Sequence, residues 1–384
     1  MCSLSSKAPP MDGSIMGASM IQGLQPLAIA KTIICLFSEP APPPSPPAPR
    51  TPPHSASKTE LLRLISINNS SYCEKARWAL DIAQEDPTSP YYYYEDVHPP
   101  AFHCIFSLKA TENAQSRTPI VVFESNTEQP PILNSGDIVR AFCPQLYPPA
   151  VADAIVGLEQ DLGQRLGSTT RCIYFFHMLL RSDGDKQYYP LITQMCCGSN
   201  AIMTIERILF DTMLDKGVDQ GIFDCLHLTT AGNEAAEQEL RRVMQELSEY
   251  VVLRGLHETG HWMDTPESKY GFTAADLIVA TYVGNMCGDI EALRGLGSCA
   301  FMGPKEDDLP PTLQQLRKEM QVLPVAAYAR RIYQGHRPVG PDGRIVVCPA
   351  RKGLNPLREY FWSITTVVAF TAAVLVGVSM RRRK

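Results

Sequence analysis

The chain has 384 residues, enough for two domains with additional tails. Its 35 lysines and arginines are outnumbered by 40 aspartates and glutamates, so the net charge of −5 argues against nucleic-acid binding. The 12 cysteines fall at irregular spacings without a paired CxxC pattern, which predicts reduced thiols and no metal site.

Residues 1–58 are predicted to be non-globular. Nine prolines lie between Pro40 and Pro53, and a stretch of this composition favours an extended polyproline II spacer. Two interpretations of the residues before it stay open. They form either an organelle-targeting leader or a disordered extension.

The next segment predicts a strand, a turn and a helix. The apolar run from Leu61 to Ile67 indicates a buried strand, and the asparagines and serines after it indicate a turn. Ser71 and Glu74 have the spacing of a capping box, so we expect a helix to begin there. A hydroxyl at such a turn faces a helix N-terminus, whose partial positive charge would stabilise a thiolate.

Residues 91–145 predict the rest of an α/β domain. The tyrosine-rich run 91–97 predicts a second strand parallel to the first, and residues 98–117 predict an irregular loop with one short helix. Pro119 begins a further apolar strand, followed by a hairpin to a short strand at 131–133. Asn134 and Ser135 then precede another helix.

From residue 150 onward the hydrophobic period is helical. Apolar spacing and charge patterns predict helices near residues 155–162, 171–180, 200–214 and 235–253. Thr273 and Asp276 have capping-box spacing, and Phe272 with Leu277 has that of a hydrophobic staple. This pairing predicts a buried helix.

The last segment predicts a membrane anchor. Residues 360–380 contain no charge and would span about 31 Å as a helix, close to the thickness of a bilayer core. After a polar linker over 336–359, this predicts a single transmembrane helix with the folded part in the cytosol. Basic residues on both sides favour an outer mitochondrial, peroxisomal or plastid membrane over the endoplasmic reticulum.

The order of these motifs resembles a known family. The run Ser-Ser-Tyr-Cys-Glu-Lys-Ala-Arg-Trp-Ala-Leu from Ser70 resembles the first βα unit of serine-type glutathione transferases. Pro119, Ser135 and the Thr273 box follow in the family order, so the resemblance covers residues 59–335. It implies a thioredoxin-like α/β domain over 59–145, followed by an all-helical domain over 150–335.

The resemblance also implies a glutathione site. Ser70 would hold the glutathione thiol, Pro119 would be cis, and the backbone of Thr118 would pair with the peptide. Asn134 and Ser135 match the acid-serine dipeptide that grips the γ-glutamyl group. Because Asn134 is neutral, the loss of a charge-assisted contact would cost about 1–2 kcal/mol.

In this family the helical domain forms the wall for an electrophile. Tyr174, His177 and Met178 are the candidates in this chain, on the aromatic helix predicted at 171–180. The implied partners are glutathione as co-substrate and a hydrophobic electrophile, and a homodimer is implied as well. No metal is needed.

Three functions stay open on the sequence. The first is a membrane-anchored glutathione transferase. The second is a tail-anchored interaction protein of an organelle outer membrane, of the fission or import type, with weak or no catalysis. The third is a thiol-dependent reductase or isomerase that uses Cys73, in a motif that lacks the first cysteine of a CxxC pair.

Overall fold

The computed structural model describes residues 59–98, 102–112, 114–126, 128–179, 228–287, 307 and 309–337. Residues 1–58, the helix predicted at 200–214, the linker beyond residue 337 and the segment 360–380 lie outside these ranges. Among the helices within them, none has the length and apolar character needed to cross a membrane.

A three-stranded sheet forms the centre of the first domain. Its strands are β1 (Glu60–Ser66), β2 (Tyr91–Val97) and β3 (Ile120–Phe123), in the order β2-β1-β3. Strand β1 pairs in parallel with β2 and antiparallel with β3. Its central position leaves the apolar side chains of β1 in the core, as the continuous apolar run predicted.

The helices of this domain follow the predicted order. Helix α1 (Ser71–Glu85) makes the crossover from β1 to β2, which requires a helical connection because the two strands are parallel. Helix α2 (Phe102–Ala110) is the short helix expected after β2, and α3 (Ser135–Phe142) packs against α1. The predicted strand at 131–133 is reduced to one bridge, between Ile132 and Val121.

Helices are the regular secondary structure in the described residues of the second domain, and a loop over 254–273 joins two of them. Helix α4 (Ala152–Leu162) continues through a π-helical turn (Gly163–Gly167) into α5 (Ser168–Leu179). Helices α6 (Thr230–Leu253), α7 (Ala274–Cys287), α8 (Pro311–Gln321) and α9 (Pro324–His336) complete it. An α/β domain followed by a helical domain is therefore confirmed for these residues.

Helix α7 is the central helix of the second domain. Every residue from Ala274 to Gly284 is buried, in agreement with the buried helix that the sequence predicted. The carboxylate of Asp276 accepts hydrogen bonds from the backbone N–H and the hydroxyl of Thr273, at 2.7 and 2.9 Å. The Thr273 hydroxyl thus donates to Asp276 instead of capping a backbone amide.

The capping box predicted between Ser71 and Glu74 is wrong. The N-cap of α1 is Ser70, and the carboxylate of Glu74 does not return to the start of the helix. It lies instead 3.1 Å from the guanidinium of Arg337, which follows α9 and is itself buried. Glu74 therefore pairs with a cation from a distant part of the chain. The spacing of residues within one helix cannot predict such a partner.

Candidate functional site

Ser70 lies where the chain turns from strand β1 into helix α1. Asn69 before it adopts a left-handed conformation (φ 53°), which asparagine tolerates better than most residues and which sharpens the turn. The Ser70 backbone is extended, and its Oγ accepts a hydrogen bond from the backbone N–H of Cys73 at 3.4 Å. The side chain is partly exposed, so the hydroxyl stands at a helix N-terminus within reach of a ligand.

Thr118 and Cys73 lie beside this hydroxyl. The peptide bond between Thr118 and Pro119 is cis, as the resemblance implied. The Sγ of Cys73 is 3.9 Å from Oγ1 of Thr118 and accepts from the backbone N–H of Ile67 at 3.4 Å. The structure therefore brings Ser70, Cys73 and Thr118 together.

The thiol of Cys73 is buried and poorly suited to nucleophilic chemistry. Its residue is 0% exposed, and burial raises the pKa of the thiol above its ordinary value. The Arg77 guanidinium, the Ile67 N–H and the neighbouring hydroxyls lower this pKa, but their effect is smaller than that of burial. Because the reactive form is the thiolate, this environment disfavours a role for Cys73 as nucleophile.

Arg77 supports the turn from below. Its guanidinium donates to the backbone carbonyl of Ile67 at 3.0 Å and forms an ion pair with Glu95 of β2 at 2.5 Å. Burial lowers the pKa of Arg77, but Glu95 and the other nearby anions raise it by more than burial lowers it. The guanidinium therefore stays charged. Sequence reasoning missed Arg77 because nearly every residue in the first turns of α1 is buried. The helix therefore lacks the alternation of polar and apolar faces that normally distinguishes core from surface positions.

Asn134 and Ser135 lie at a second helix N-terminus, that of α3. The side-chain oxygen of Asn134 accepts from the backbone N–H of Asp137 at 2.9 Å, and its amide donates to the Asp137 carboxylate. Asp137 also pairs with Arg140 at 2.6 Å. Ser135 is the first residue of α3 and is buried. The Asn134 side chain thus serves as a cap, and its contact with glutathione stays a prediction.

The three residues predicted as a substrate wall make their described contacts within the helical domain. The hydroxyl of Tyr174 donates to the backbone carbonyl of Asn285 in α7 at 3.1 Å. His177 lies 2.9 Å from Glu237 in α6, and Met178 is buried. No contact described for these side chains reaches the turn at Ser70, and their role toward an electrophile stays a prediction.

Among the described residues, no group of three or more histidine, cysteine, aspartate or glutamate side chains is arranged to hold a metal ion. Glutathione, the co-substrate that the sequence resemblance implies, would need donors for an anionic sulfur and a carboxylate. The two helix N-termini, each with a serine, fit those needs.

Comparison with known proteins adds similar folds of low identity. No protein-family model matches the sequence, and no curated protein matches it. Ure2p in complex with glutathione is 13% identical with a TM-score of 0.36, covering 71% of this chain and 93% of its own. The tau class glutathione S-transferase from mango, Mangifera indica, is 13% identical with a TM-score of 0.33, covering 70% and 91%.

A third solved structure is maleylacetoacetate isomerase from Anaeromyxobacter dehalogenans, with dicarboxyethyl glutathione and citrate in its active site. It is 18% identical with a TM-score of 0.26, covering 73% of this chain and 99% of its own. Identities and TM-scores this low carry no inference about activity.

Proposed function

We propose that the protein binds glutathione and transfers it to an electrophile. The observation that carries this proposal is the Ser70 hydroxyl at the N-terminus of α1, which is partly exposed and is linked to Thr118 through contacts of Cys73. A hydroxyl and unpaired backbone N–H groups at a helix end stabilise a thiolate and so lower the pKa of a bound thiol. The second N-terminus, at Ser135, offers the same kind of donors to a carboxylate.

The two helix N-termini have different roles: the one at Ser70 activates the thiol, and the one at Ser135 helps to orient the peptide. Ser70 donates a hydrogen bond to the glutathione sulfur, and the thiol proton passes to solvent. The thiolate then attacks the electrophilic carbon, so that a carbon–sulfur bond forms while the leaving group departs with its electron pair, or the electrons move into a conjugated acceptor. Thr118 and Ser135 orient the peptide, and orientation of this kind lowers the entropic part of the barrier.

A second candidate is an interaction protein that kept the fold and lost the chemistry. The observation that favours it is the engagement of Asn134, whose oxygen and amide are both used by Asp137. A neutral side chain that already caps its own helix offers little to the charged α-amino group of glutathione. This candidate predicts that glutathione does not bind measurably.

Calorimetric titration of glutathione into the full chain in mild detergent separates the two. The transferase proposal expects saturable binding, weakened by Ser70→Ala and unchanged by Ser268→Ala, a partly exposed serine outside the site. Heats indistinguishable from dilution, together with no turnover of standard electrophiles, would remove the transferase and leave the interaction protein.

The thiol-dependent reductase is the weakest of the three, because Cys73 is fully buried. Loss of activity on alkylation of Cys73, measured in a Ser70→Ala background, would restore it.

We also propose that residues 360–380 anchor the protein in a membrane. The support is an uncharged run of sufficient length with basic residues on both sides. A fluorescent protein fused to residues 350–384 is expected on the outer mitochondrial, the peroxisomal or a plastid membrane. A signal confined to the endoplasmic reticulum would contradict the membrane choice, and a diffuse signal would contradict the anchor.

A further inference from the structure

Glu159 of helix α4 contacts both helices whose N-termini form the candidate site. Its Oε1 accepts from Nζ of Lys75 at 2.7 Å, one turn into α1 from Ser70. Its Oε2 lies 3.4 Å from the guanidinium of Arg140 in α3. A Cβ placed on Gly136, the second residue of α3, would lie 2.5 and 2.7 Å from the two carboxylate oxygens. One carboxylate from the helical domain therefore touches both helices.

Lys75 is held firmly on this carboxylate. Its side chain is 1% exposed, and its Nζ also lies 3.2 Å from the hydroxyl of Tyr282 and 4.8 Å from the centre of that ring. Tyr282 belongs to α7, the central helix of the second domain. A buried ammonium that loses its carboxylate is strongly unfavourable, so this ion pair fixes α1 against α4 and α7.

Gly136 makes the third contact because it lacks a side chain. The carboxylate of Glu159 lies directly against the first turn of α3, where any Cβ would overlap it. Lys75 and Arg140 restrain the same carboxylate, so it could not yield to an added methyl group without loss of those contacts. Glu159 thus adds a bridge between α1 and α3 to the direct packing of these two helices.

We propose that Glu159 is a positioning residue that sets the distance between the thiol subsite at Ser70 and the γ-glutamyl subsite at Ser135. This role rests on the proposed glutathione site, whose two subsites Glu159 would keep at a fixed distance from each other. A ligand that spans both subsites depends on that distance. A thiol that reaches only the Ser70 subsite does not.

Gly136→Ala tests this without removing a charge. Gly157→Ala is the matched control, since Gly157 lies two residues before Glu159 on α4 and has no atom within 4 Å of the added methyl. The measurement is kcat/KM of the full chain in detergent, with glutathione and with cysteinylglycine, which lacks the γ-glutamyl group. Gly136→Ala should lower the value for glutathione roughly tenfold, because even a 1 Å misplacement costs rate heavily, and should change that for cysteinylglycine far less. Gly157→Ala should change neither.

An equal loss for both thiols, or no loss for glutathione, would overturn the positioning role. If the unaltered chain turns over neither thiol, the transferase proposal fails, and the effect of Glu159 on the two helices is then tested by hydrogen exchange, which reports how readily their backbones open. Gly136→Ala should speed exchange in residues 71–75 and 135–140, and Gly157→Ala should not. Unchanged exchange rates in both segments of Gly136→Ala would contradict the positioning role of Glu159, whether or not glutathione binds.

Discussion

Ser70 and Cys73 lie three residues apart and have opposite environments. Ser70 is partly exposed at the end of α1, whereas Cys73 is fully buried with a raised thiol pKa. This contrast supports the proposed role of the Ser70 hydroxyl, and burial of the Cys73 sulfur is consistent with a packing role.

Ser70→Ala should lower kcat/KM for glutathione transfer by roughly 10²-fold, the usual effect of deleting one donor to a developing anion. The pH profile of kcat at saturating glutathione should also move upward, toward the pKa of about 8.5 of a free thiol, because the bound thiolate loses its donor. Loss of the cap should cost only about 1 kcal/mol of stability. A profile that keeps its midpoint would contradict the role of Ser70.

Cys73→Ala should leave transfer activity within about twofold of the unaltered protein, since a buried thiol with a raised pKa supplies little thiolate at neutral pH. The measurement is the same kcat/KM with glutathione. Loss of activity with full retention of the folded state would show instead that the sulfur takes part in the reaction.

At the scale of elements, helix α7 is held by the buried carboxylate of Asp276. Besides Thr273, it accepts from the backbone N–H of Trp262 at 2.8 Å and from the hydroxyl of Tyr328. Burial raises the pKa of Asp276, but His261, Tyr328 and two backbone N–H groups together lower it below its usual value. The carboxylate is therefore a fixed acceptor between α7, α9 and the loop before α7.

The sign of this shift predicts an acid dependence of stability. Because the folded pKa of Asp276 is depressed, its contribution is present above the unfolded pKa of about 3.9 and is lost as the pH falls through the folded value. Asp276→Asn should therefore cost about 3 kcal/mol at pH 7 and less at pH 3, measured by urea denaturation. Asp153→Asn, at an exposed position, is the control, and a cost independent of pH would contradict the argument.

The elements were predictable from the sequence to the extent that their signals are local. The strand-turn-helix at Ser70, the parallel partner at 91–97 and the buried helix after Thr273 each have a local pattern, and each is confirmed. The partners of buried charges have no such pattern. Glu74 pairs with Arg337 across 263 positions and Lys75 with Glu159 across 84, so only the tertiary fold brings them together.

At the scale of the whole molecule, Arg337 joins the two ends of the described chain. Its guanidinium contacts Glu74 at 3.1 Å and Asp81, both in α1 and both buried, and it lies 5.5 Å over the ring of Trp78. Trp78 in turn donates to the backbone carbonyl of His336 at 3.2 Å. The end of the helical domain is therefore fastened to the first helix of the α/β domain.

Arg337→Met should destabilise the protein by about 3–5 kcal/mol, because buried Asp81 would lose the cation described against it and buried Glu74 would keep only Arg77, at 3.6 Å. Arg242→Ala, which removes exposed ion pairs on α6, should cost less than about 1 kcal/mol in the same urea denaturation. Adding Glu74→Gln and Asp81→Asn to Arg337→Met should recover much of the loss, since the cost comes from uncompensated charge. Failure to recover would mean that the guanidinium acts through packing.

With residues 360–380 in a bilayer, as proposed, the contacts of Arg337 would also limit how far the folded part could lie from the lipid. Counting from Arg337, 23 residues reach Tyr360, and a polypeptide of that length extends at most about 80 Å. A protein anchored through residues 360–380 would thus stay within about 80 Å of the lipid surface. Its connection to the membrane would leave the folded part at Arg337, next to α1. The substrates and partners that it reaches would be those concentrated in this layer. A shorter connection between Arg337 and Tyr360 would reduce the thickness of the layer and the number of molecules within reach.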